Sequence, residues 1–390
     1  MVWLWADAAF AQTLPAGPMT AFDGRLTVGA EIVGTIGDED DIAFFNYTDY
    51  EHNALRSFRA ALTGMWRPLE RLAFIADVRT DNLEDVRAYA AYVRVRPLRD
   101  HAFDIQAGRI PPVFGSFARQ AYTLDNPVIG YPLAYQYLTS LRTDAVPANP
   151  SELATMRARG WRAEYSIGSP EAGPGIPAVS SFRWDTGIQA RWRHGIVDVA
   201  GALTNGTLGD PLVGDNNGGK QISGRVAVLP TPGLAIGGSA AHGAWLDRDL
   251  RSQLDGLEED ASQTALGADF EYSRDYWVIR GELVWSRWQM PFAATGRVQD
   301  LDALATWIEG RYRFTPRVFV GARVDRLGFS DIRTDRSVVE WDAPVTRVET
   351  ALGYYLQRNL ILRAAVQYND RDAGRITRRT YFAGQIACWF

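Results

Sequence analysis

Read in steps of two, long stretches of this chain separate into an apolar set and a polar set. Leu26, Val28, Ala30 and Ile32 alternate with Arg25, Thr27 and Glu31. Phe58, Ala60, Leu62 and Trp66 alternate with Arg59, Thr63 and Arg67. Leu72, Phe74, Ala76 and Val78 alternate with Asp77, Arg79 and Asp81, and Leu304, Thr306, Ile308 and Tyr312 with Trp307, Glu309 and Arg311. The chain ends the same way: Phe382, Gly384, Ile386, Cys388 and Phe390 carry no charge, while Arg379, Tyr381 and Gln385 make the other face polar or mixed. Successive side chains leave opposite faces of a strand, so period two predicts strands with one greasy and one wet face.

Sixteen such segments are predicted, at about 24–35, 54–67, 70–81, 86–97, 101–109, 181–193, 196–205, 219–229, 234–245, 262–273, 276–289, 301–314, 317–328, 344–356, 360–370 and 377–390. Tight turns such as RPLE (67–70), TPG (231–233) and QRN (357–359) alternate with longer polar loops, the longest over 110–180. Short connections on one side and long ones on the other distinguish a closed transmembrane barrel from a soluble sandwich. An even strand count puts both termini on the short-turn side. Lipid offers no partner to backbone N–H and C=O groups, so the sheet must close and the last strand must meet the first. The fold class expected is all-β: a closed antiparallel transmembrane β-barrel over 24–390, with the long third loop folded into the lumen or lying over its rim.

Composition agrees. There are 390 residues with mean hydropathy −0.19, and no apolar run is long enough for a membrane helix. The net charge of −5 argues against nucleic-acid binding. A single cysteine, Cys388, excludes intrachain disulfides, and four scattered histidines lack ligand spacing, so no metal or other cofactor is expected. Residues 1–11, closing on Ala9-Phe10-Ala11, read as a shortened export signal, with 12–23 as a lead-in.

Two stretches extend the reading by resemblance. The terminal strand ending in Phe390 resembles the assembly signal of outer-membrane β-barrels. DIQAGRIPPVFG (104–115) resembles the Gly-Arg/Gln…Phe-Gly passage of phosphate-selective porins of the O/P type. The resemblance implies a porin in a Gram-negative outer membrane, in contact with lipid, lipopolysaccharide and the barrel-assembly machinery. It also implies a homotrimer. No run of basic residues marks the third loop, so phosphate selectivity does not follow.

Parity places more arginines than carboxylates on the lumen wall. The pore-lining candidates are Arg59, Asp77, Arg79, Arg94, Arg96, Asp104, Arg191, Glu309 and Arg311. Of these, Arg59, Arg79 and Arg191 are expected nearer mid-barrel. Cross-strand pairing with wall carboxylates accounts for most of them; any remainder favours anions. Arg87 and Arg109 fall on the lipid parity. In the third loop, Arg119, Asp125, Tyr131, Tyr135 and Arg142 are the constriction candidates, with Arg119, Asp125, Asn126, Arg142 and Asp144 facing wall arginines. Residues 149–159 offer a short helix.

The function expected is passive diffusion of small solutes, weakly anion-preferring. The alternatives are a structural or adhesive barrel, or a barrel enzyme without an open channel. GDNNGGK (214–220) lacks the Ser/Thr and helix of a phosphate loop. The acidic stretches 37–41 and 255–260 match no defined Ca²⁺ loop.

Overall fold

The computed structural model describes residues 17–48, 52–99, 101–120, 122–181, 184–254, 261–294 and 296–390. The export-signal reading of 1–11, the acidic stretch 255–260 and the side chain of Arg119 lie outside the described residues.

Sixteen antiparallel strands form one closed sheet. In chain order they are β1 Leu26–Gly37, β2 Phe58–Leu69, β3 Leu72–Asp81, β4 Asp85–Val95, β5 Ala102–Ile110, β6 Asp185–His194, β7 Val197–Thr204 and β8 Gln221–Thr231. Then follow β9 Leu234–Ala244, β10 Ser262–Arg274, β11 Trp277–Phe292, β12 Arg297–Arg313, β13 Val318–Phe329, β14 Val345–Gln357, β15 Leu360–Arg371 and β16 Arg378–Trp389. Each matches a predicted segment to within a few residues, because the hydrophobic period survives along almost every strand. The phosphate-loop look-alike runs straight into β8 rather than into a helix.

Closure is made by β16, which lies between β15 and β1. Glu31 to Gly37 pair with Trp389 to Ala383. Phe390 N donates to Ala30 O (3.0 Å) and Ala30 N to Phe390 O (3.1 Å), so the terminal residue belongs to the ladder. Met19–Ala21 folds back on the start of β1.

The barrel is apolar outside and polar inside. Ile32, Leu62, Trp66, Ile188, Leu266, Ile308 and Leu352 are exposed on the outer face, whereas Glu31, Asp77, Gln189, Glu309, Arg323 and Glu349 are buried within the lumen. No described helix is long and apolar enough to cross a membrane, which says nothing against strands.

One parity assignment fails. Asp77 pairs with Ala90 and Val78 with Ala88, leaving Tyr89 as an extra residue in β4. The bulge turns the strand over, and Arg87, predicted on the lipid face, stands on the inner face opposite Arg79 and pairs with Asp85 (3.2 Å). Arg109 does keep its outer parity. Its Nε donates to the Trp184 carbonyl (2.9 Å) at the loop-side end of β5.

Ile308 lies near the middle of β12 on the outer face. Ile308→Arg is expected to lower stability in phospholipid vesicles by about 2–4 kcal/mol, measured by urea unfolding. An unchanged midpoint would show that this band does not face hydrocarbon.

Candidate functional site

Loop 3, residues 111–184, leaves β5 through Gly108 and Gly115, which explains why the glycines of the 104–115 passage stand where they do. Gly108 has φ +124, and a Cβ there would collide with the Ala91 carbonyl and Tyr92. Gly115, at φ +70, lies against the Tyr135 hydroxyl and the Glu282 carboxylate, with no room for a side chain. Glu282 anchors the loop: it accepts from Ser116 N (2.9 Å), Tyr135 OH (2.6 Å) and Trp307 Nε1 (3.3 Å).

From that anchor the chain crosses the lumen. Tyr122 OH donates to Asp77 on β3 (2.9 Å), and Thr123 Oγ1 donates to Glu31 on β1 (2.9 Å). The Thr123 carbonyl accepts from Arg363 on β15 (2.7 Å), and the Asp125 carbonyl accepts from Arg280 on β11. Ile129 N and Gly130 N both donate to Glu349 on β14 (2.9 and 2.8 Å), while Arg323 on β13 donates to the Gly130 carbonyl (2.6 Å). Arg59 on β2 reaches the Tyr131 hydroxyl (2.9 Å), and Arg347 on β14 reaches the Tyr131 carbonyl (3.1 Å). Wall groups from seven strands, β11, β13, β14, β15, β1, β2 and β3, thus satisfy the polar groups of one irregular segment, as buried backbone requires.

The remainder of the loop lies as a lid, so both expected placements coexist. Asp342, beyond β13, accepts from Ser140 N (2.7 Å) and Ala158 N (2.8 Å). The predicted helix is shorter than expected, Pro150–Thr155, capped by the Asn149 side chain on Glu152 N (3.0 Å). Arg142 does not face the wall. It holds the Asp144 carboxylate (2.9 and 2.8 Å) and the carbonyls of Ala163 (2.8 Å) and Glu171 (2.6 Å), pinning the lid to itself. A loop-internal fork gave no distinguishing signal in the sequence.

The wall arginines divide into two groups. Arg59 pairs with Asp81 (2.8 Å), Arg79 with Asp77 (2.9 Å) and Arg191 with Asp198 (2.8 Å). Arg79 is also clamped between the rings of Tyr89 (3.4 Å) and Tyr122 (4.6 Å). Nor are these three grouped at mid-barrel: Arg59 is at the loop-side end of β2 and Arg191 near the turn-side end of β6. Glu309 meets Arg280 (2.8 Å) and Arg323 (3.3 Å), and Arg323 also meets Asp325 (3.2 Å) and Glu349 (3.4 Å). Arg96 lies at the limit of pairing with Asp104 (4.0 Å).

Other wall arginines lack a carboxylate within bridging distance among the described residues; Arg347 is held by amides and carbonyls instead, and four more stand apart from it. Arg94 reaches Met65 Sδ (3.7 Å), Arg311 lies 5.9 Å from the Phe319 ring, and Arg313 lies 5.7 Å from the Tyr355 ring. Arg363 binds Gln385 (2.8 Å) and the Thr123 carbonyl. All four lie toward the short-turn ends of their strands. Sequence parity found them on the wall but could not separate them from the paired ones.

Asp125 in the crossing segment sits among these charges. Burial pushes its pKa up to about 6, against the pull of Arg280 and Arg311, with Glu31 and Glu271 adding to the rise. On the loop side of the crossing, a small cavity of about 30 Å³ remains between loop 3, His52, Ala54 and Ser57 ahead of β2, and the walls of β1, β2, β3 and β16.

No protein family matches the chain, and no curated protein does either. Solved structures do. The outer membrane channel DcaP of Acinetobacter baumannii superposes with TM-score 0.55 at 11% identity, over 96% of this chain and 99% of that one. OmpF of Salmonella typhi, solved with daunomycin, gives 0.55 at 11%, over 95% and 100%. An anion-selective porin from Comamonas acidovorans gives 0.52 at 9%, over 94% and 99%. OmpT, an outer membrane protein of Vibrio cholerae, in a trimer form, gives 0.52 at 10%, over 94% and 99%. At such identities the likeness shows the shared sixteen-stranded barrel.

The raised Asp125 pKa has a definite sign in stability. The native state binds its proton more tightly than the unfolded chain does, so stability falls as pH rises from about 4 to about 6 and stays lower above. Asp125→Asn is expected to stabilise the barrel at pH 8 by about 1–2 kcal/mol, trimmed by the group's partial exposure, and to change nothing at pH 3.5. Urea unfolding at the two pH values measures this, and equal effects at both would contradict it.

Proposed function

We propose that the protein is a porin of a Gram-negative outer membrane, conducting small solutes passively with a weak preference for anions. One observation carries the reading: a closed barrel, apolar outside, encloses a charged lumen constricted by an inward-folded loop. A wide sixteen-stranded barrel leaves room for water, and a loop bonded to the wall sets the aperture. Its closing strand, ending on Phe390, suits the barrel-assembly machinery, and its outer band suits lipid and lipopolysaccharide. The trimer form of a similar barrel motivates a homotrimer, which native mass spectrometry would test.

The preference for anions rests on Arg94, Arg311, Arg313 and Arg363 rather than on Arg59, Arg79 and Arg191, whose charges are offset by bound carboxylates. Guanidinium groups stay charged at all working pH values, so the field persists. Phosphate selectivity is not part of the proposal. Catalysis is not either: a rim hydrolase would need a histidine base, and of the two candidates by position, His52 and His242, the latter stands on the outer face, bonded to Thr264 (2.9 Å).

The bonds from the loop to so many strands favour a second reading, a permanently plugged structural barrel. Planar-bilayer recording decides between the two. Ohmic steps are expected, with a reversal potential toward anions that fades as salt rises from 0.01 M to 1 M and the Debye length shrinks from about 30 Å to about 3 Å. Replacing Arg94, Arg311 and Arg363 with Gln should reduce or invert the preference more than the same changes at Arg59, Arg79 and Arg191. Silence from correctly folded protein would favour the plugged barrel, and cation selectivity would show that the carboxylates dominate.

A further inference from the structure

At the short-turn end of the lumen, positive charge converges without an acceptor to match it. Arg67 Nε donates to Met65 Sδ (3.4 Å), and Arg94 Nη2 donates to the same sulfur (3.7 Å). A thioether is a weak acceptor. Neither guanidinium has a carboxylate within bridging distance or a further hydrogen bond among the described residues. Elsewhere the wall supplies the missing charge: Asp198 takes both Arg191 (2.8 Å) and Arg193 (2.9 Å). At this corner the neighbouring carboxylate, Asp104, accepts from Gln106 (2.8 Å) and lies 4.0 Å from Arg96. Two guanidinium groups sharing one sulfur repel each other, and an anion between them relieves the repulsion.

The sheet register builds this group. Met65 on β2 pairs with Ile75 on β3, and Ile75 pairs with Tyr92 on β4. One step nearer the turns on the same inner face, Ala73 pairs with Arg94, and Arg67 stands two residues beyond Met65. Ala73 puts a single methyl between two strands that each carry an arginine. Met65 and Ala73 thus give the two guanidinium groups an apolar floor. Arg67 is exposed, and Arg94 and Met65 are half-buried, so the group faces the water of the turn-side vestibule.

We propose that Arg67 and Arg94 form a binding site for the carboxylate of a small organic acid, with Met65 and Ala73 under its apolar body. The carboxylate bridges the two guanidinium groups and replaces the sulfur as their acceptor, in charge-assisted bonds that are stronger than neutral ones. The unbranched thioether adapts to the hydrocarbon part of the ligand. A tetrahedral oxyanion would turn further oxygens toward the Met65 and Ala73 surface, which offers them no donor. Chloride has no apolar part to place there. The proposal rests on the porin reading, in which solutes pass the turn-side vestibule, and it names the class of anion that this part of the wall retains.

The test uses the full chain, in detergent for binding and in planar bilayers for conductance. In a saturation-transfer NMR titration at low salt, where screening is weak, sodium butyrate should bind saturably with a dissociation constant on the order of 10 mM. Its uncharged analogue butyramide should not bind, and sodium phosphate, followed by its competition with butyrate, should bind more weakly. Arg67→Gln and Arg94→Gln should each weaken butyrate binding by about tenfold, the equivalent of one charge-assisted hydrogen bond. Met65→Glu places a carboxylate between the two arginines and should abolish binding, whereas Met65→Leu should keep it. Heat-modifiable gel mobility shows that each variant is folded. No saturation by about 100 mM butyrate, binding of butyramide or phosphate as tight as that of butyrate, or unchanged affinity in the double arginine variant would each overturn the assignment, and the first two need no variant. Conductance without butyrate binding would sink this proposal alone. Butyrate binding to a silent barrel would support the site and sink the porin reading.

Discussion

Backbone closure is the constraint on which everything else in this molecule depends. A sheet whose outer face is apolar cannot leave an open edge in contact with hydrocarbon, because unpaired N–H and C=O groups there cost several kcal/mol each. The seam between Glu31–Gly37 and Ala383–Trp389 removes both edges at once. Its register also fixes which residues face inward. A slip by one would put Glu31 and Gln385 outside and Ile32 and Ile386 inside. The lumen chemistry is therefore inherited from the seam.

Closure creates a second problem, a concentration of charge in a confined interior. The wall answers it locally. Arg79 bonds Asp77 and Arg323 bonds Asp325, two residues along the same strand face, and Arg191 reaches Asp198 across a tight turn. Loop 3 answers the rest. Glu349 and Glu282 lie on walls where strand neighbours do not satisfy all their oxygens, and backbone N–H groups of Ile129, Gly130 and Ser116 complete them. Removing one partner of a buried charged pair costs far more than the pair contributes. The crossing segment and the wall are thus mutually dependent, and the segment is as rigid as the network that holds it.

The same distinction explains what could be read in advance. Strand number, order, facing and the seam follow from period two and from connection length, which are properties of neighbouring residues. The parity of β4 ahead of Tyr89 was lost because a bulge leaves no mark in a stretch reading Arg87-Ala-Tyr-Ala-Ala-Tyr. Pairs such as Arg79–Asp77 and Arg323–Asp325 were legible in principle, being two residues apart on a single face. The crossing was not. Gly130 meets Glu349 across 219 residues, and Arg347 meets the Phe45 carbonyl across 302. No local pattern encodes such separations. That Arg142 would turn into its own loop while Tyr131 reached the wall depended on those same distant partners.

Lysine is nearly absent for a related reason. Lys220 is the only one, and it sits in an outer loop, salt-bridged to Asp215 (2.5 Å). Inside the barrel the cations must hold several acceptors in fixed directions. Arg323 spans three carboxylates and the Gly130 carbonyl. Arg347 spans the Asn369 side chain, Gln136 and the carbonyls of Tyr131 and Phe45. A planar fork with five donors can do this, whereas an ammonium on a flexible stem is a single point of charge. Arginine therefore serves as the joint between wall and loop. Arg94, Arg311 and Arg313, toward the short-turn end, instead lie against Met65 and the rings of Phe319 and Tyr355, with no carboxylate within bridging distance among the described residues.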